Sequence, residues 1–169
     1  MNKIRSILLA LTVVFAALLA YGVWTRPSAR PADHEGFSAA RVIKDIEVMS
    51  KEHHSVAHPE ERAKVREYLM QRLEGLGADT VMLYEYDSLV GPKNKHVIYT
   101  FDAHNILAEF QPTDSSASKT ELLFVAHYDS RYSQPFGRDT VWSYGAADDG
   151  YGVGVVLETV SQLLKERDQ

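Results

Sequence analysis

Two short clusters hold residues whose types and spacing can do chemistry. His127, Tyr128, Asp129 and Ser130 follow directly on the apolar run Leu122-Leu123-Phe124-Val125-Ala126, and Asp148-Asp149-Gly150-Tyr151-Gly152 precedes a C-terminal apolar-periodic stretch. An imidazole and a carboxylate are both zinc ligands, at about 2.0–2.2 Å. Asp129, two residues after His127, is placed to accept the proton on the ring nitrogen that does not face a metal. A carboxylate such as Asp148 can give one oxygen to each of two ions about 3.5–4 Å apart, which together activate a water. Adjacent carboxylates repel, and a cation beside Asp148-Asp149 relieves the repulsion. Each half also has a plainer reading. His127–Ser130 suits a turn that ends a strand, and Asp148 or Asp149 suits the cap of a helix entered through glycines.

The remaining candidates weigh less. His53, His54 and His58 are dense but irregularly spaced, before a helix, where a solvated loop or cap outranks a metal site. His96 and His104 lie near strand ends with no partner in view. Ser130 and Ser133 near His127 lack the Gly-x-Ser-x-Gly turn of a serine nucleophile. Trp142 and Tyr144, between the two clusters, suit a substrate pocket or ordinary packing equally well.

The elements that must position these residues follow from periodicity. Phe37, Ala40, Ile43, Ile46 and Met49 mark a helix over Phe37–Lys51. A second helix starts at Pro59, with Glu60 and Glu61 complementing its N-terminal dipole. Ala63, Leu69, Leu73 and Leu76 supply its stripe, and Gly75 and Gly77 its stop. Thr80–Tyr86, Asn105–Phe110 and Glu121–Ala126 read as strands, with Val97–Phe101 a fourth. The continuous Leu122–Ala126 run predicts a strand buried on both faces. Gly150–Arg167 returns to helix, with Val153, Val156, Leu157, Val160, Leu163 and Leu164 on its apolar face. The order predicts an α/β domain whose mixed central sheet is flanked by helices. Polar residues at the end of a buried strand then sit where α/β sheets bind ligands.

Ala126-His127-Tyr128-Asp129-Ser130 followed by Gly145-Ala146-Ala147-Asp148-Asp149-Gly150-Tyr151-Gly152-Val153, with Leu157-Glu158 in the next helix, resembles the di-zinc aminopeptidase family of metallopeptidases. That family includes bacterial leucyl aminopeptidases and glutamate carboxypeptidase II type enzymes. The resemblance covers about Phe37–Lys165 and is strong from Leu122 onward. It implies a zinc-exopeptidase-like fold, His127 on one zinc, Asp148 bridging two, Asp129 orienting His127, and a cis bond between Asp148 and Asp149. The family pattern continues with a Glu-Glu pair, an Asp and a late His, supplying the general base and three more ligands. No Glu-Glu pair follows Asp149 in this sequence. The expectation is therefore the N-terminal part of a peptidase domain, truncated on its C-terminal side and inactive or nearly so as it stands.

Ahead of the domain, residues 7–24 contain no charged side chain, with Lys3 and Arg5 just before them. Eighteen residues rise about 27 Å as a helix, close to the hydrocarbon thickness of a bilayer. The positive flank predicts that residues 1–6 stay in the cytoplasm and the rest lies outside. An uncleaved anchor is favoured over a cleaved signal that would leave the protein secreted, because Leu18 spoils the small-x-small site at Ala20. Residues 25–36, with Pro27, Pro31 and Gly36, read as a linker, and 37–169 as the domain. The absence of Cys removes any disulfide framework, and a net charge of −5 with no basic stripe argues against nucleic acid. The combined expectation is a membrane-anchored, exported zinc exopeptidase acting on peptide N-termini. A membrane-anchored interaction module on the same fold is the alternative from a different class, and a single-zinc cyclase is a third. A domain missing strand neighbours is also expected to associate.

Overall fold

The computed structural model of the chain describes residues 2–25, 29–90, 100–113, 121–132, 134–136 and 139–167. Helix α1, Asn2–Trp24, is built from the apolar N-terminal residues, and all side chains over Ile4–Val23 are exposed. The hydroxyl of Thr12, the one clearly polar side chain of the apolar stretch, donates to the Leu8 carbonyl at 2.9 Å. The helix thus satisfies its own polar groups, as a lipid environment demands.

Helices α2 (Ala39–Met49), α3 (Pro59–Gly75) and α4 (Tyr151–Arg167) surround the core. Met49, Val65, Leu69, Val153 and Leu157 are buried together, with Tyr68, Leu73, Leu76, Ile106, Ala126 and Tyr128 packed around them. The buried face of α3 begins at Arg62 and Val65, so Ala63 falls beside the expected stripe. On α4 the buried positions are Val153, Gly154, Leu157 and Glu158, and Leu163 is exposed. Gly154 is where α2 and α4 touch. A Cβ there would lie 3.0 Å from Val42 Cγ1 and 3.1 Å from its carbonyl oxygen.

Two polar networks bind the helices. Glu158, 1% exposed, accepts from Arg41 Nη2 at 2.6 Å, the Ser38 N–H at 3.0 Å and Gln162 at 2.9 Å. The Arg41 guanidinium also donates to the carbonyls of Ala32, His34 and Gly36, strapping the segment before α2 onto the helix pair. Burial pushes the Glu158 carboxyl upward, but the bonds from Arg41 and Ser38 outweigh it and hold it below the ordinary carboxylate range. Buried Asp45 of α2 accepts from Tyr68 Oη at 2.5 Å and Arg72 Nε at 3.1 Å, both on α3.

Strands β1 (Thr80–Val90) and β2 (Thr100–Glu109) pair antiparallel, from Thr80 opposite Glu109 to Val90 opposite Thr100, with a register shift between Tyr86 and Leu89. β2 includes the end of the expected fourth strand, Thr100 and Phe101, while 97–99 and His96 lie outside the described residues. A second hairpin, β3 (Gln134–Phe136) and β4 (Asp139–Val141), occupies the connection between the two sequence clusters.

The expected strand Glu121–Ala126 is corrected. Residues 121–132 join no strand, and Leu122, Leu123 and Val125 are exposed. An apolar run becomes a buried strand only when a neighbour takes its N–H and C=O groups. Among the described residues none pairs with it, and both pairings present are antiparallel. The α/β class with flanking helices stands.

Candidate metal centre

Ala126 and Tyr128 pack against the core, and the Tyr128 hydroxyl donates to the His104 carbonyl of β2 at 3.1 Å. His127, between them, turns its ring outward. The second cluster is shaped by Gly145, whose φ of 71° lies in the left-handed region that favours glycine. The Gly150 N–H closes back on the Gly145 carbonyl at 2.8 Å, looping out Ala146–Asp149. The Asp148–Asp149 peptide bond is cis.

The two clusters meet. His127 Nε2 lies 3.0 Å from Asp148 Oδ1. Its Nδ1 lies 3.1 Å from the Asp129 carbonyl oxygen and 3.4 Å from Asp129 Oδ1. Burial alone would lower the His127 pKa, but Asp129 and Asp148 outweigh it and raise it above the ordinary histidine value. The pair is open to solvent, with 54% of the His127 side chain and 71% of the Asp148 side chain exposed.

The neighbouring carboxylates divide their work. Asp149 Oδ1 accepts the Gly152 N–H at 3.0 Å, capping α4, while Asp148 faces His127. Asp149 thus takes the cap, and Asp148 is the carboxylate left facing His127.

The donor chemistry fits zinc as far as it goes. An imidazole nitrogen and a carboxylate oxygen share one point, and Nδ1 holds an outer hydrogen bond. Among the described residues, no group of three or more His, Cys, Asp or Glu side chains comes together.

His53, His54 and His58 do not join the pair as ligands. His58 Nδ1 bonds Ser55 Oγ at 3.0 Å and His54 Nδ1 bonds the Glu52 carbonyl at 3.0 Å. The ring of His53 lies 4.1 Å from that of Tyr144, and His58 meets Trp142 edge-on at 5.0 Å, so the histidine loop packs against the segment before Asp148. Ser130 is buried, and its hydroxyl accepts the His54 N–H at 3.1 Å. Ser133 lies outside the described residues. His104 Nε2 is 3.5 Å from Glu85 Oε1, and burial followed by Arg66 and Arg62 lowers its pKa. Sequence reasoning missed the contact between the histidine loop and Ser130. Its one available signal was Ser130 itself, a polar residue inside the cluster with no assigned task.

Residues 105–169 match the sequence profile of Peptidase family M28. The chain is 27% identical over 165 residues to a vacuolar membrane protease of Schizophyllum commune, covering 95% of this chain and 17% of that protein. It is 30% identical over 141 residues to a vacuolar membrane protease of Eremothecium gossypii, covering 74% and 12%. Among solved structures, a glutaminyl cyclase of Tannerella forsythia superposes with a TM-score of 0.60 at 26% identity. A Zn-dependent exopeptidase of Parabacteroides distasonis superposes with a TM-score of 0.62 at 23% identity. Both cover 78% of this chain and 43% of the other. The chain thus spans under a fifth of these curated relatives and under half of the solved structures.

Proposed function

We propose that the chain is the N-terminal part of a membrane-anchored zinc peptidase of the aminopeptidase type, with its domain outside the cytoplasm. The observation that carries this reading is the 3.0 Å approach of His127 Nε2 to Asp148 Oδ1, from segments 21 residues apart, inside the M28-matching region. Its relatives' names, vacuolar membrane protease and Zn-dependent exopeptidase, support the peptidase class, the metal and the membrane. Helix α1, long and apolar enough to cross a bilayer, supports the anchor.

In this reading His127 and Asp148 hold zinc, and Asp148 bridges to a second ion. When bound, zinc polarises a peptide carbonyl and makes a water acidic enough to serve as nucleophile near neutral pH. The chain's own residues prepare that site. The Asp129 carbonyl and carboxylate hold the His127 Nδ1 proton, leaving Nε2 as the ligand atom. Asp149 is spent on capping α4, which leaves Asp148 as the one carboxylate of the pair facing His127. With two ligands and no assigned general base, these 169 residues alone are expected to hydrolyse a leucine anilide no faster than their His127→Ala variant.

Zinc content measured on the purified chain tests the site. Zinc that is retained by the wild type and lost in both His127→Ala and Asp148→Ala supports it. Equal zinc in all three refutes it, and no zinc in any favours the interaction module. The likeness to a glutaminyl cyclase keeps cyclase chemistry as a second reading. Ammonia release from peptides with N-terminal glutamine would favour that reading over peptide hydrolysis.

A further inference from the structure

His127 and Asp148 belong to separate segments, and a 3.0 Å approach between exposed side chains needs something to hold those segments at a set spacing. The structure contains such a device one step inward. His54, 1% exposed, meets both segments at once. Its backbone N–H donates to Ser130 Oγ at 3.1 Å, and its carbonyl accepts the Ser130 N–H at 3.4 Å. Its ring covers the Cα of Gly145, where a Cβ would lie 2.9 Å from His54 Cε1 and 3.0 Å from both His54 Nε2 and Ser130 Cβ. The ring is itself fixed, because Nδ1 donates to the Glu52 carbonyl at 3.0 Å. Ser130 is three residues after His127, and Gly145 three before Asp148. Each candidate ligand therefore hangs a short, equal length of chain from the same buried point.

We propose that His54 is a positioning residue, clasping Ser130 and Gly145 so that His127 Nε2 and Asp148 Oδ1 converge. The proposal rests on the metal reading of that pair for its purpose, but not for its test. His54 touches neither ligand side chain in this role and donates nothing to a metal. Its effect is to fix the spacing of the two segments, and Gly145 is glycine because the clasp leaves no room for a side chain at φ 71°.

The test uses the full chain in detergent micelles, with isotope-labelled histidine and no metal. The His127 ring-nitrogen resonances are assigned by their loss in His127→Gln. Asp148→Asn gives the displacement that accompanies a weakened 3.0 Å bond. His54→Ala and Ser130→Ala are expected to move the His127 resonances toward the Asp148→Asn position. Tyr68→Phe, which removes a hydrogen bond between α3 and α2 and keeps the ring in place, is expected to lower thermal stability and leave them in place. Zinc affinity, read by competition with a chromophoric chelator, is expected to fall roughly 10–100-fold in both clasp variants, the range for lost outer-shell support. His127 resonances unchanged in Ser130→Ala and His54→Ala would overturn the proposal, and Ser130→Ala alone decides it if His54→Ala does not fold. A wild type without zinc dependent on His127 and Asp148 would defeat the metal reading, while the metal-free resonances would still decide the clasp.

Discussion

Removing Arg41 should cost far more than neutralising the carboxylate it serves. Glu158 is 1% exposed and Arg41 20% exposed, so the two ends of the ion pair stand in different surroundings. In Arg41→Ala the carboxylate stays buried, keeping only the Ser38 N–H and Gln162 as donors. Breaking a buried pair from one side costs about 3–5 kcal/mol, because the remaining charge cannot be hydrated. The carbonyls of Ala32, His34 and Gly36 lose their donor as well, although they lie near solvent. In Glu158→Gln the amide oxygen still accepts, and the surviving guanidinium reaches water, so the loss should be nearer ~1–2 kcal/mol. The double variant should be more stable than Arg41→Ala alone, a coupling that independent sites would not show. Chemical denaturation of the full chain in micelles, followed by far-ultraviolet circular dichroism, measures all four proteins.

The pH dependence supplies a second check. Glu158 is held below its ordinary range when folded, so its contribution is present above the unfolded carboxylate pKa and is lost as pH falls through the folded one. Without Arg41 the largest interaction that lowers the folded pKa is gone, so the variant loses less stability than wild type as this carboxyl protonates. The gap between wild type and Arg41→Ala should therefore narrow as pH falls from neutral through the carboxylate range. An Arg41→Ala variant within about 1 kcal/mol of wild type, well under the cost of an orphaned buried charge, would refute the reasoning. So would a gap that widens on acidification.

Two other perturbations read the fold. Tyr68→Phe removes a donor from buried Asp45, whose Oδ2 already lacks a hydrogen-bond partner, and should cost about 1–3 kcal/mol in the same denaturation assay. Burial, then the bond to Asp45, pushes the Tyr68 hydroxyl up to about 12, so the late-titrating tyrosine signal in alkaline difference spectra should shrink in Tyr68→Phe. Leu123, 79% exposed in an apolar run that pairs with no strand among the described residues, should promote association, and Leu123→Lys should lower the sedimentation-derived mass of the particle without lowering its melting temperature.

The sequence was most informative where local chemistry decides the outcome. Pro59 with Glu60 and Glu61 placed the start of α3, and the uncharged run 7–24 lies within helix α1, which starts earlier at Asn2. The two polar clusters raised His127 and Asp148 as partners, and the two side chains lie 3.0 Å apart. Neighbours in space are another matter. Leu122–Ala126 has the composition of a buried strand, yet composition does not provide the adjacent strand that would bury it. Arg41 and Glu158 lie 117 residues apart, and nothing local at either position marks the other.

His54 shows why the histidine loop was hard to read. Its density of imidazoles suggested ligands, but its folded contribution runs mainly through backbone groups and the volume of one ring, neither of which has a sequence signature. The same reasoning applies to Gly145. Nothing in the sequence marks Gly145, whose Cα the structure surrounds closely with His54 and Ser130. A methyl group there would meet His54 and Ser130 at about the separation of hard contact, so the residue is small in order to be closely surrounded. A pair of side chains exposed on a surface can be held to a single geometry only if its supports are buried. Here the exposed pair, His127 and Asp148, and the buried trio, His54, Ser130 and Gly145, are linked by short chain segments on both sides.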